Sequence, residues 1–385
     1  MIDDFSLFIE VSILKVLRKE NYMEQAELVY KKTEGLAPFS YVVIDEWIYF
    51  CDLYVPALFR YHYEKKICEC VFVFNKKYIN LNFYKIYVYK NNLWLLPFLD
   101  GKIICFNLYT CEAFYVSIPE EIDEKANPFS DMIFLNKKGY IIPHGKNRYL
   151  IEVDLASSEI KTIELIKTNE INKQIYFERV IEFENKIYLI DTINDILISY
   201  DINNGKKEIK TNLNIPKKTL PKKIDKKIFF LPIIIENESK NILIYDINAN
   251  KIIKKENPIS NFLKGEVFIS EVFNKEIWIL ANKQKKIYRL NQNLEINFEL
   301  SILNFNEDEK TIYVSSRVFE DRFFWHGHAG TPLLQVKDEK IQLLDVCKDT
   351  NFLNIFIKLV NKYNYQKKES YRFNSGKFIY KKLKI

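Results

Sequence analysis

Residues 196–210 read ILISYDINNGKKEIK. An apolar run closes on Asp201, a turn follows at Asn203-Asn204-Gly205, and a charged run continues to Lys210. β-Branched and aromatic side chains suit a pleated, half-buried strand, and Asn-Gly supplies the positive φ of a tight hairpin turn, so the stretch predicts two antiparallel strands. The pattern returns as IICFNLYTCEAFYV at 103–116, YLIEVDLASSEIKTIEL at 149–165, ILIYDINANKIIKK at 242–255 and IYRLNQNLEINFEL at 287–300. Shorter apolar runs keep the same beat at 47–51, 93–97, 140–144, 186–191, 227–232, 276–281 and 322–327. The interval is about 46 residues, and a period of that length filled with strands and turns marks an array whose units bury their faces only against one another.

Unit four resolves most cleanly, into runs at 177–183, 186–191, 196–201 and 207–210. Glu184-Asn185, Asn248-Ala249-Asn250 and Ser375-Gly376 supply further turn residues. Seven full units are expected at roughly 40–73, 82–117, 129–165, 176–211, 219–255, 267–300 and 312–346, and the tail from 355 aligns with unit six as a shortened eighth. The expected fold is all-β, a β-propeller of seven or eight four-stranded antiparallel blades. Residues 4–33 follow another rule. Phe5, Phe8, Ile9, Ile13, Val16 and Leu17 recur at helical spacing behind a cap from Asp3, Asp4 and Ser6, and MEQAELVYKK at 23–32 forms a second helical run. The chain therefore divides into a short N-terminal α-helical hairpin, 1–36, and the propeller, 37–385.

Composition agrees. Apolar residues make up 48% of the 385, with 25 Tyr and 29 Phe, so a large core is available. The formal charge of +6 comes from 57 basic against 51 acidic residues, a small excess over a long chain, and the abundance of Lys, Ile and Asn reflects an AT-rich genome. Six cysteines without a CxxC pair predict reduced thiols. The acidic start Met-Ile-Asp-Asp-Phe does not read as a signal peptide, and no stretch reaches the roughly 18 apolar residues of a membrane span. A cytoplasmic protein with no membrane contact is expected.

The hairpin ILISYDINNGKKEIK resembles the outer hairpin of quinoprotein-like and Kelch-like β-propeller repeats, and the resemblance covers the chain from about 40 onward. It implies the fold alone. The Kelch double glycine is missing, as are the Trp-Asp ending and the Ser-x-Asp-x-Gly-x-Thr-Trp box, and there are only 9 glycines.

In a four-stranded blade the loop between the second and third strands shares a face with the linker to the next blade, so these loops converge at the channel mouth, where a site is expected. They carry Asp100, His144, Arg148, Asp191 and the segment FFWHGHAGTP at 323–332. That segment holds Trp325, two of the four histidines, His326 and His328, and two of the nine glycines. An imidazole pair there suits ligand contact or acid–base work near neutral pH. Two histidines fall short of the three protein ligands that catalytic zinc usually takes, so no metal and no cofactor are expected. Asp191 stands where other units have Pro97, Pro143 and Pro232. It is either a carboxylate offered at the mouth or an acceptor for backbone N–H groups at a strand end. Asp154, Asp201 and Asp246 repeat in register and are read as turn residues.

The P-loop, nucleophile-elbow, HExxH and strand-associated GxGxxG motifs are all missing. The reading that asks least of the sequence is a non-enzymatic binding or scaffold propeller, engaging a protein partner, or a small ligand, through the mouth loops. The alternative is an enzyme, a hydrolase, lyase or sugar-modifying activity, with a histidine-containing site at the mouth. A second alternative is nucleic-acid binding through the basic, tyrosine-rich tail from Lys358. That tail reads better as a lysine-protected edge strand, and no nucleic-acid partner is expected.

Overall fold

The computed structural model describes residues 38–344, apart from 53–56, 66, 75–83, 98–101, 123–128, 145–146, 168–174, 178, 218, 234–240, 261–267, 303–312, 320, 328–332 and 338–339. Strands follow one another without an intervening helix among these residues. Blade 1 is β1 (Pro38–Ile44), β2 (Trp47–Asp52), β3 (Ala57–His62) and β4 (Ile67–Val73). Blade 2 is β5 (Tyr84–Tyr89), β6 (Asn92–Pro97), β7 (Ile103–Asn107) and β8 (Glu112–Val116). In blade 3 come β9 (Phe129–Leu135), β10 (Lys138–Pro143), β11 (Tyr149–Asp154) and β12 (Ile160–Glu164). Blade 4 holds β13 (Arg179–Phe183), β14 (Lys186–Asp191), β15 (Ile196–Asp201) and β16 (Lys207–Thr211). Blade 5 follows with β17 (Thr219–Ile224), β18 (Lys227–Pro232), β19 (Asn241–Asp246) and β20 (Lys251–Glu256). Blade 6 consists of β21 (Phe268–Phe273), β22 (Glu276–Ala281), β23 (Lys286–Leu290) and β24 (Ile296–Ser301). Last is blade 7, with β25 (Tyr313–Phe319), β26 (Arg322–Gly327), β27 (Leu333–Lys337) and β28 (Lys340–Leu344).

Each blade is one four-stranded antiparallel sheet hydrogen-bonded in chain order. The described residues thus form a seven-bladed propeller, the smaller of the two blade numbers that the periodicity leaves open. The helical hairpin expected in 1–36 and the shortened eighth unit of the tail lie outside the described residues.

Burial grades outward through every blade. Second strands such as NLWLLP in β6 and KIFFLP in β18 are buried almost end to end, because both faces meet a neighbouring blade. Fourth strands such as KEIKT in β16 and INFELS in β24 are mostly wet, which is why they read as charged in the sequence. The first hairpins of blades 1 to 6 turn on residues of positive φ: Asp45, Lys90, Asn136-Lys137, Glu184-Asn185, Asp225 and Asn274-Lys275. Gly205 is the one glycine with positive φ among the described residues, so in this glycine-poor chain Asn, Asp and Lys take the left-handed positions that short turns impose. The repeated turn acids behave as expected. Asp154 Oδ1 accepts from the N–H groups of Ala156 and Ser157, both at 2.9 Å, and Asp201 Oδ1 accepts from Asn203 at 3.0 Å.

The core is seven apolar seams, one between each pair of neighbouring blades. The seam that closes the ring joins blade 1 to blade 7, where Tyr41, Phe50 and Phe59 pack with Phe324, Leu333 and Leu344. The Tyr41 hydroxyl donates to the Phe324 carbonyl at 3.3 Å across it, and Arg322 donates to the Tyr63 hydroxyl. Blade 7 is built from its own four consecutive strands.

Candidate functional site

The sequence-predicted mouth residues separate into three groups. His144 follows the end of β10, half-buried, with its ring edge-on to Tyr176 at 5.4 Å between centroids. Asp191, fully buried at the end of β14, accepts at Oδ2 from the Tyr176 N–H at 2.9 Å, so one residue of the blade 3–4 linker ties His144 and Asp191 together. Asp191 also takes the N–H groups of Ile193 and Asn194 at 3.0 and 2.9 Å and the Asn194 Nδ2 at 2.7 Å. Its carboxylate is filled by these donors and serves as the strand-end acceptor. Arg148, half-buried on the β10–β11 loop, donates to the Lys167 carbonyl at 3.0 Å.

Trp325 is corrected to a core residue. It is fully buried in the seam of blades 6 and 7, edge-on to Phe323 at 4.7 Å, because its place in β26, opposite Ser316 and Leu334, turns the indole inward between the sheets. His326 lies in β26 opposite Ser315; its side chain, His328 and Asp100 are outside the described residues. Among the described residues no cluster of three or more His, Cys, Asp or Glu side chains is arranged to hold a metal ion.

The axis holds what the sequence reading missed. The first strands of neighbouring blades meet around it, and most carry a charge inside an apolar run: Lys85 in YKIYVY, Asp131 in FSDMIFL, Lys222 in TLPKKI, Glu271 in FISEVF and Arg317 in YVSSRVF. Lys222 Nζ meets Glu271 Oε1 at 2.6 Å between blades 5 and 6, both side chains only 9% exposed. Lys85 Nζ donates to the Ser130 carbonyl at 2.6 Å. Arg317, from blade 7, reaches past blade 1 and sets its guanidinium 5.3 Å from the centre of the Tyr87 ring in blade 2.

Arg317 lies deep in the protein yet keeps intermediate exposure, which is how a side chain lining an axial channel behaves. Tyr87 is 6% exposed. Burial first, then the Asp131 carboxylate, hold its hydroxyl well above the usual phenol range, and Arg317 opposes them in part. The hydroxyl stands beside Asp131 and Arg317 but makes a hydrogen bond of ordinary geometry with neither. Burial likewise raises Tyr41, with Arg317 pulling it down and Glu271 pushing it up. At neutral pH the axis therefore presents a fixed cation and neutral phenol donors. The sequence signal was a charge inside the apolar run of most inner strands, at a position that the pleat turns toward the axis.

No family model and no curated protein matches the chain. Solved structures do. A catalytically inactive virginiamycin B lyase from Staphylococcus aureus with quinupristin superposes with a TM-score of 0.56 at 13% identity, over 77% of this chain and 93% of that one. A streptogramin B lyase gives 0.54 at 15% identity, over 80% and 94%. The dihydro-heme d1 dehydrogenase NirN in complex with DHE gives 0.51 at 11% identity, over 78% and 64%. At these identities the shared property is the propeller fold. The expectation of a non-enzymatic scaffold is corrected by this comparison. It rested on missing catalytic motifs, whereas propellers of this shape include enzymes.

Proposed function

We propose that the chain is an enzyme of the lyase or hydrolase kind, acting on a small polar molecule bound at the mouth of the axial channel. The observation that carries this reading is the set of charged side chains at the axis, Lys85, Asp131, Lys222, Glu271 and Arg317, drawn from five blades. A ring closed by apolar seams has no structural need of them, and withdrawing an ion from water costs several kcal/mol. On the mouth face His144 offers an imidazole, and β26 carries His326 to the same end of its blade; imidazole is the side chain whose ordinary titration suits proton transfer near neutral pH. The enzyme neighbours support the class.

The test is a panel of esters, lactones and glycosides, quinupristin among them, incubated with the purified chain and followed by mass spectrometry. Hydrolysis adds one water to the substrate, and elimination leaves an unsaturated product. We expect the wild type to consume at least one compound and a His144→Ala/His326→Ala variant to consume it far more slowly. No consumption across the panel, or equal consumption by the variant, sinks the reading.

A further inference from the structure

We propose that Arg317 and Tyr87 form an oxyanion-binding subsite in the axial channel, which takes the carboxylate or phosphate group of a small molecule entering from the mouth. It rests on the reading above for its place, and names the substrate class that reading leaves open.

The first argument is the state of Arg317. A guanidinium carries five N–H donors in a planar fork and keeps its charge at any physiological pH. In this protein it reaches from blade 7 past blade 1 to the Tyr87 ring of blade 2, deep inside the fold. Among the described residues it forms no ion pair: the Asp131 carboxylate acts on it through space, and the other inner acid, Glu271, is taken by Lys222 at 2.6 Å. Leaving aside the exposed Lys223, these five strands carry Lys85, Lys222 and Arg317 against Asp131 and Glu271, one positive charge in excess.

Tyr87 supplies the second, independent observation. Its hydroxyl is buried, stands beside the same guanidinium and the Asp131 carboxylate, and has no hydrogen bond of normal geometry with either. A buried hydroxyl left without such a bond is destabilising. Held in its neutral form, it offers a donor rather than a competing negative charge. A fork of N–H donors and one O–H donor meeting in a channel satisfy an oxyanion, and the oxyanion satisfies them. Asp131, which acts on both Tyr87 and Arg317, limits the subsite to one anionic group, since a second negative charge would be repelled by it.

Equilibrium binding of unreactive anions tests this without any turnover, so its outcome is separate from that of the enzyme reading. Inorganic phosphate and succinate are titrated separately into the full chain by calorimetry, with thermal unfolding in parallel. The two arms distinguish phosphate from carboxylate as the source of the group. We expect one of them to bind and to raise the unfolding temperature. Tyr87→Phe, which keeps the ring in its seam, should weaken that anion roughly tenfold or more. Arg317→Lys, which keeps the charge and loses the fork, should weaken it less than Arg317→Met, which should abolish it. If Arg317→Met fails to fold, Tyr87→Phe and Arg317→Lys decide alone. Binding of neither anion to the wild type, or equal binding by wild type and Tyr87→Phe, overturns the proposal.

Discussion

Replacing Lys222 by Met cuts the ion pair between blades 5 and 6 and leaves Glu271 charged at a place where each side chain keeps only 9% of its surface. The Glu271 Oε1 still accepts from the Val272 N–H at 2.9 Å, but it loses the ammonium at 2.6 Å, and breaking a buried ion pair by removing one partner costs about 3–5 kcal/mol. The double variant Lys222→Met/Glu271→Met removes both ions and fills the same volume with apolar chain. By the same reasoning it should lie within about 1 kcal/mol of the wild type or above it. Urea unfolding of the wild type, both single variants and the double variant, followed by fluorescence and circular dichroism to check that the transitions coincide, yields the coupling energy. It should be about 3 kcal/mol or more. A single variant costing under about 1 kcal/mol, or singles that simply add in the double, would refute the claim that the pair is desolvated. A stable double variant would also show that the axial ions are not there for stability.

Other variants probe the placements around the mouth. Trp325→Ala should cost roughly 3–5 kcal/mol in the same unfolding assay, as a large core truncation does, where an exposed loop residue would move it by under about 0.5 kcal/mol. Asp191→Ala strips the acceptor from Tyr176, Ile193 and Asn194 and should cost about 3 kcal/mol; an unchanged midpoint would mean that these loop bonds are not formed in solution. Asp321, bonded first to Arg322 and then to Lys337, has its carboxyl lowered to about 2. A depressed carboxylate stabilises above its unfolded value near pH 4 and stops doing so as pH falls through about 2, so the gap between wild type and Asp321→Asn should close over that window. The gap itself should stay below about 1 kcal/mol, because the side chain is 49% exposed.

The blades were legible because their signal is local and repeated. Runs at 186–191 and 196–201 are β14 and β15 to the residue, and the Asp201 turn that suggested the hairpin closes as its composition implies. Blade number was open in the sequence, since the tail carries strand-like runs of its own. The site was harder to read. Tyr87, Asp131 and Arg317 are far apart in the chain and come together only because three inner strands share one axis, and no spacing rule encodes that. Trp325 drew notice through the unusual loop beside it, yet its own register, opposite Ser316, belongs to the strand rather than to the loop. Tyr176 went unnoticed because a linker residue whose backbone N–H does the work leaves no trace in side-chain chemistry.

The seam between blades 1 and 7 differs from the others in connectivity. Six seams are each crossed by a linker of the chain, whereas within the described residues this one is held by side chains alone. Bringing together partners separated by the whole ring, roughly 300 residues, rather than by a linker of about ten, spans about five doublings of loop length and costs ~3 kcal/mol more in chain entropy. The propeller is in that sense a clasped bracelet. Thermal breathing, protease entry and hydrogen exchange should begin at the Tyr41–Phe324 clasp, and Arg317, rooted in the same blade 7, reaches across the clasp to Tyr87 of blade 2.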